Sequence, residues 1–139
     1  MAYDDTNIFA RILRGEIPCH RVFEDDQTLA FMDVSPISKG HALVIPKARA
    51  RNILDAPPEA IAAAAVTVGR VARAAKAAFE AEGVTIMQFN EAPAGQSVFH
   101  LHFHVVPRWV GVALKPHGGP MEKPEVLKEH AERIRAALV

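Results

Sequence analysis

The pattern of apolar and polar positions divides this chain into short strand-like runs and three helical ones. Asp5-Thr6-Asn7 can cap a short helix over Ile8-Phe9-Ala10-Arg11-Ile12-Leu13, and Gly15 can end it. Phe9, Ile12 and Leu13 share one face of that helix, which by itself reads as core packing. Arg21-Val22-Phe23-Glu24 reads as a strand, Asp25-Asp26-Gln27 as a turn, and residues 28–33 as the strand that pairs back. Ser35-Pro36 and Lys39-Gly40 mark a loop before a third, largely buried strand over residues 41–46. Asp55 is suited to cap a long alanine-rich helix over residues 59–82, with Ile61, Val68, Val71, Ala75 and Phe79 as its buried stripe and Gly83 as its stop. A fourth strand follows over residues 84–89. After the break at Gly118-Gly119-Pro120, residues 124–138 form an amphipathic helix with Val126, Leu127, Ile134 and Leu138 inside.

The remaining stretch, His100-Leu101-His102-Phe103-His104, alternates strictly, which predicts a half-buried fifth strand. Leu101, Phe103 and Val105 then face a core, and the imidazoles line the opposite face about 6–7 Å apart. Short hairpin connections favour an antiparallel sheet. The predicted class is therefore α+β: a five-stranded antiparallel sheet with a long helix and a C-terminal helix, in one domain over residues 1–139.

Composition narrows the picture. Sixteen basic residues balance sixteen acidic ones, so no global field draws the chain to nucleic acid or an anionic membrane. The apolar run over residues 60–68 is too short to span a bilayer. A single cysteine, Cys19, and an acidic start without an apolar segment point to the cytoplasm. Lys47 to Asn52 is a basic connector that reads as a solvated loop. No glycine-rich phosphate loop of the common types occurs.

Two chemistries suit the histidine row. Two imidazoles at i and i+2 can share a zinc, but the third lies about 13 Å from the first, a strain for one tetrahedral ion; His41, His117 and Glu91 are further ligand types without a diagnostic spacing. A neutral imidazole can instead attack phosphorus, provided its other nitrogen keeps a proton against a carbonyl or carboxylate. One attacker with two supporting imidazoles fits the spacing better.

The stretch from His100 to Val106 resembles the signature of the histidine triad (HIT) superfamily of nucleotide hydrolases and transferases. Phe23-Glu24-Asp25-Asp26, Ala30 to Pro36, His41 to Lys47 and Gly95 to Phe99 are similar to that family in its order. The resemblance implies a HIT-like fold that dimerises side by side through the long helix and the strand before the triad, and a nucleoside phosphate site on the sheet. It implies His102 as the nucleophile, His100 as its orienting partner, and His104 as a phosphate contact. Ser97, Gln96 and Gly95 match phosphate and leaving-group contacts, and Asn90 an α-phosphate ligand. Asp33 matches the carboxylate that binds both ribose hydroxyls, and Phe9, Ile12 and Phe31 the apolar slot for a purine, replacing the core-only reading of that helix face. His41 matches a fourth family histidine behind the triad and is counted with the substrate-binding set.

Departures from the family pattern matter as well. Some bacterial relatives hold zinc on two cysteines and a histidine where this chain has Asn7, Ala10 and Arg49, so no metal and no other cofactor is expected. His104 in place of glutamine resembles the hydrolases rather than the uridylyltransferases. The ending Val106-Pro107-Arg108-Trp109 differs from that of the phosphoramidase branch. The resulting expectation is a metal-independent hydrolase of purine nucleotide derivatives, either phosphoramidates or dinucleoside polyphosphates, that releases a nucleoside monophosphate through a nucleotidyl-histidine. The alternative is a nucleotide-binding interaction protein with incidental turnover.

Overall fold

The computed structural model describes residues 2–138. In chain order the elements are α1 (Ile8–Leu13), β1 (Arg21–Glu24), β2 (Thr28–Met32), β3 (Ala42–Pro46), α2 (Pro58–Ala78), β4 (Gly83–Met87), a 3-10 turn (Ala92–Ala94), β5 (Phe103–Arg108) and α3 (Pro124–Ala137). The strands form one sheet in the order β1-β2-β3-β5-β4, antiparallel at every pairing. This is the expected α+β architecture.

The two-residue period of the strands sorts side chains between two layers. Val22, Ala30, Met32, Ala42, Val44 and Val105 pack beneath α2 and α3 with Val68, Val71, Leu127 and Ile134. Leu29, Phe31, Leu43 and Ile45 point to the other face, where Phe9 of α1 covers them. Because both faces are covered, every residue of β2 and β3 is buried. The stripe on α2 is mostly small residues, Ala60, Ala64, Thr67, Val68, Val71, Ala74 and Ala75, whereas the expected Ile61 is only half-buried. On α3, Leu127 and Ile134 are buried as expected, joined by Ala131.

Three local expectations need correction. Asp55 does not cap α2: Pro57 holds the N-cap position without a side-chain bond, and the Asp55 carboxylate instead accepts from the N–H groups of Arg51 and Asn52. The helix also stops at Ala78, before the predicted 82. Glu80 adopts the left-handed conformation (φ 51°), and the Ala81 N–H bonds back to the Lys76 carbonyl at 2.9 Å. This is a Schellman ending with glutamate in the position that glycine usually takes.

The third correction concerns the triad itself. The sheet ladder begins at Phe103, so His100, Leu101 and His102 precede β5 rather than lying within it. The β3–β5 register pairs Val44 with Phe103, and continuing it sets Pro46 opposite Leu101. Pro46 has no N–H to donate, and its carbonyl is taken by the His100 ring at 2.8 Å. Leu101 is nonetheless fully buried, its N–H bonded to the Ala50 carbonyl.

Candidate active site

A cleft of about 300 Å³ opens on the α1 side of the sheet. It brings together Phe9, Ile12, Phe31, Asp33, Ser97, His102 and His104 from the residues singled out by the sequence. Phe9 and Phe31 meet edge to face at 5.4 Å, and Phe9 stands against His102 at 5.0 Å, which gives the cleft an apolar end and an imidazole end. A larger groove of about 820 Å³ lies on the other side of α1, among Arg21, Glu24, Lys128 and Arg135, but it gathers no pair of imidazoles.

The triad rings have three different environments. His102 Nδ1 lies 2.7 Å from the His100 carbonyl oxygen. A carbonyl only accepts, so Nδ1 carries the proton and Nε2 is left with its lone pair. The rings of His102 and His104 are 5.1 Å apart. His104 Nδ1 is 2.9 Å from His41 Nε2. His41 Nδ1 accepts the Ile37 N–H at 3.1 Å, so its proton sits on Nε2 and is donated to His104. His104 is thereby left with its own proton on Nε2, facing away from His41. This tautomer chain sets one lone pair and one N–H donor side by side.

Burial keeps these rings neutral. Desolvation lowers the His102 pKa, against the opposing pull of the His100 carbonyl. It lowers His104 to about 4, with the neighbouring His102 and His117 adding to the effect. His41, fully buried, is lowered to about 3 by the same cause. Asp33 is raised by desolvation, although its Oδ1 accepts the Ser35 N–H at 2.8 Å. Gly40, at φ 81°, precedes His41, and a Cβ there would meet the Phe79 ring at 2.5 Å, so the turn that presents His41 requires glycine.

His100, His41, Asn90, Gly95 and Gln96 do not line the cleft. His100 is turned away from it and reaches His102 only through its carbonyl. Gln96 is buried and spends its side chain within the loop: its amide donates to the carbonyls of Arg51 and Val98, and its oxygen accepts from Asn52 and the Glu91 N–H. The Asn90 oxygen likewise accepts from the Ile53 N–H and from Gln88. These groups shape the loop that carries Ser97. A bidentate Arg51–Glu91 pair clamps the same loop, with Glu91 held at φ 76°. The basic connector is thus tied to carboxylates, since Lys47 pairs with Glu24, Arg49 with Asp5, and Arg51 with Glu91.

Sequence reasoning named His117 only as a metal-ligand type without a diagnostic spacing, yet it stands at the mouth of the cleft, 5.9 Å from the His104 ring and 6.1 Å from Phe89. Backbone bonds from Lys115 to Ile37 and from Glu122 to Val34 bring its segment back over the sheet. A lone histidine in a glycine-rich stretch carries no spacing signal that would reveal this.

Asp33, His41 and His104 offer metal-type ligand atoms within 4.8 Å of one another. The His41–His104 nitrogens, at 2.9 Å, are closer than the roughly 3.3 Å that two bonds of about 2.05 Å to a tetrahedral zinc allow. A shared proton accounts for that spacing.

Comparison with known proteins agrees with the architecture. The HIT domain family matches residues 14–110. A Hit-like protein from Bartonella henselae, described as involved in cell-cycle regulation, superposes with a TM-score of 0.95 at 51% identity, covering 99% of this chain and 100% of that one. The adenylylsulfatase HINT3 of Arabidopsis thaliana is 34% identical over 84% of this chain and 62% of its own length. The adenosine 5'-monophosphoramidase hnt1 of Schizosaccharomyces pombe is 40% identical over 73% of each chain. The chain belongs to the HIT family, a class defined here by the antiparallel sheet and the histidine row leading into β5.

Proposed function

We propose that this protein is a metal-independent hydrolase of purine nucleotide derivatives, phosphoramidates or dinucleoside polyphosphates, that releases a nucleoside monophosphate. The observation that carries the reading is the tautomer pair: His102 with Nδ1–H fixed on a carbonyl and Nε2 free, beside His104 with its N–H outward. Two relatives bear the names of enzymes that act on adenylyl compounds with different leaving groups, a sulfate and an amine.

In this reading Phe9, Ile12 and Phe31 hold the base and Asp33 accepts the ribose hydroxyls. His104 donates to a phosphate oxygen, while Ser97 faces the phosphate chain. His102 Nε2 attacks phosphorus; an N–P bond forms and the bond to the leaving group breaks. A phosphate leaving group departs as an anion, and an amine takes a proton from solvent through Ser97. Nδ1–H stays on the His100 carbonyl and stabilises the charged nucleotidyl-imidazole. Water then attacks phosphorus and gives up a proton to solvent, the N–P bond breaks, and Nε2 recovers its lone pair.

Intact-protein mass spectrometry after rapid acid-free quenching with an AMP-amine or dinucleotide substrate tests this. Wild-type protein should gain the mass of one nucleotidyl group, and His102→Ala should gain none while losing several orders of magnitude in rate. An adduct on His100 or His104 would overturn the assignment. The cell-cycle role ascribed to the Bartonella relative favours a second reading, a binding protein with incidental turnover. Wild-type turnover no faster than that of His102→Ala would select it.

A further inference from the structure

The nucleophile's proton is held by a backbone carbonyl that no sheet ladder fixes, because His100 precedes β5. The peptide that carries this carbonyl is fixed on its other side by the Leu101 N–H, bonded to the Ala50 carbonyl at 2.9 Å, and residue 100 itself is held by its ring, anchored at both nitrogens. Nε2 lies 2.8 Å from the Pro46 carbonyl, so it carries the ring's proton, and burial keeps the ring neutral. Nδ1 is then a lone pair, and its partner is the Tyr3 hydroxyl at 2.5 Å. Resting on the reading of His102 as nucleophile, we infer that Tyr3 is a positioning residue, whose hydroxyl sets the orientation of His100 and through its carbonyl the tautomer of His102.

The hydroxyl is itself directed. Its oxygen accepts from Asn7 Nδ2 at 3.1 Å, which leaves the O–H to donate to His100. Asn7 also caps α1 by accepting the Ala10 N–H at 2.9 Å. One hydrogen-bonded chain therefore joins the start of α1, the helix that sets Phe9 against His102, to the carbonyl that holds the His102 proton. The Tyr3 ring stands edge-on to His100 at 5.6 Å beneath the Arg49 guanidinium, and Arg49 pairs with Asp5. Tyr3, Asp5, Ala10, Arg49 and His100 line one cavity of about 200 Å³.

Asn7, Ala10 and Arg49, the positions at which the family resemblance implies zinc ligands in some relatives, do not suit zinc here. Alanine offers no donor, arginine offers only N–H groups, and the asparagine is committed to the helix cap. The tyrosine hydroxyl anchors His100 without a metal.

Nitrogen-15 NMR of the substrate-free protein tests the inference without relying on turnover. In wild-type protein His102 should be the Nδ1–H tautomer and His100 the Nε2–H tautomer. The Tyr3 hydroxyl proton should give a slowly exchanging downfield resonance correlated with His100 Nδ1. Tyr3→Phe, which keeps the ring, should turn His102 into a mixture of tautomers. On a nucleotide substrate it should lower kcat about ten- to a hundredfold, by analogy with the hydrogen-bond partners of metal-bound histidines, with KM nearly unchanged. Asp5→Ala, which frees Arg49 but leaves the hydroxyl, should retain the wild-type tautomers and kcat. A pure Nδ1–H His102 in Tyr3→Phe overturns the inference, as does an equal loss in Asp5→Ala. Absence of the hydroxyl resonance from wild-type protein overturns it whether or not the variant folds. If wild-type protein shows the expected tautomers but turns over no substrate, the hydrolase reading fails and the positioning of His102 stands.

Discussion

The imidazoles of this site are held neutral by burial, and that has a consequence for stability. His104 and His41 have folded pKa values of about 4 and about 3, below the ordinary 6.5. As pH falls below 6.5 the unfolded chain takes up protons that the folded chain refuses, so stability present above that pH is lost on acidification. The loss continues until the folded values are reached, near pH 4 for His104 and pH 3 for His41. Urea midpoints measured from pH 7 to 4 should fall throughout, and His41→Asn should flatten the slope. A flat wild-type profile would show that these rings are solvated. Asp33 makes a separate prediction. Its loss should weaken binding of a ribonucleotide, which offers it two hydroxyls, by about 1.5–3 kcal/mol per charge-assisted bond at most. A 2′,3′-dideoxy analogue should be affected far less. Equal losses for the two ligands, measured by calorimetry, would separate Asp33 from the ribose.

The elements succeed or fail on backbone chemistry at their ends. Gly15 at φ 77° ends α1, as its place after the apolar run predicts. The end of α2 was not legible, because Glu80 occupies a left-handed position that sequence rules reserve for glycine or asparagine. The start of β5 was misread for a related reason. Alternation at His100-Leu101-His102 mimics a strand, but the proline opposite cannot complete the ladder. Gly40 joins an element boundary to the site. Gly40→Ala forces a Cβ onto the Phe79 ring and strains a positive φ, at a cost of about 1–3 kcal/mol. For a chain of this size that is a fall in Tm of roughly 2–4 °C per kcal/mol, measurable by calorimetry. An unchanged Tm would mean that the turn relaxes freely.

At the scale of the whole molecule, β4 is one of the two edge strands of the sheet. Ile86 pairs with Val105, whose side chain faces α2, yet Ile86 is 44% exposed, and Val66 on α2 is also exposed. An unpaired edge flanked by exposed apolar side chains suits a two-fold partner. We expect light scattering to return twice the chain mass, and Ile86→Glu to return the monomer; a wild-type monomer at micromolar concentration would refute side-by-side pairing. No helix among the described residues is long and apolar enough to cross a membrane.

The sequence alone determined the class, the order of the strands along the chain and the histidine row, because periodicity and residue type are local properties. Phe9, Ile12, Phe31, Asp33, Ser97, His102 and His104 were all named from it, and they share one cleft. Only the tertiary structure decided which nitrogen of each ring bears the proton. That depends on the carbonyl of His100, the N–H of Ile37 and the hydroxyl of Tyr3, the last two 67 and 97 residues from the rings they bind or control, since Ile37 acts on His104 through His41 while Tyr3 lies 97 positions from His100. It also decided that Gln96 and Asn90 face into their loop and that His117 reaches the cleft. Loop closure and the longer links of this hydrogen-bond chain are set by groups distant in the chain, and no pattern of neighbouring residues encodes them.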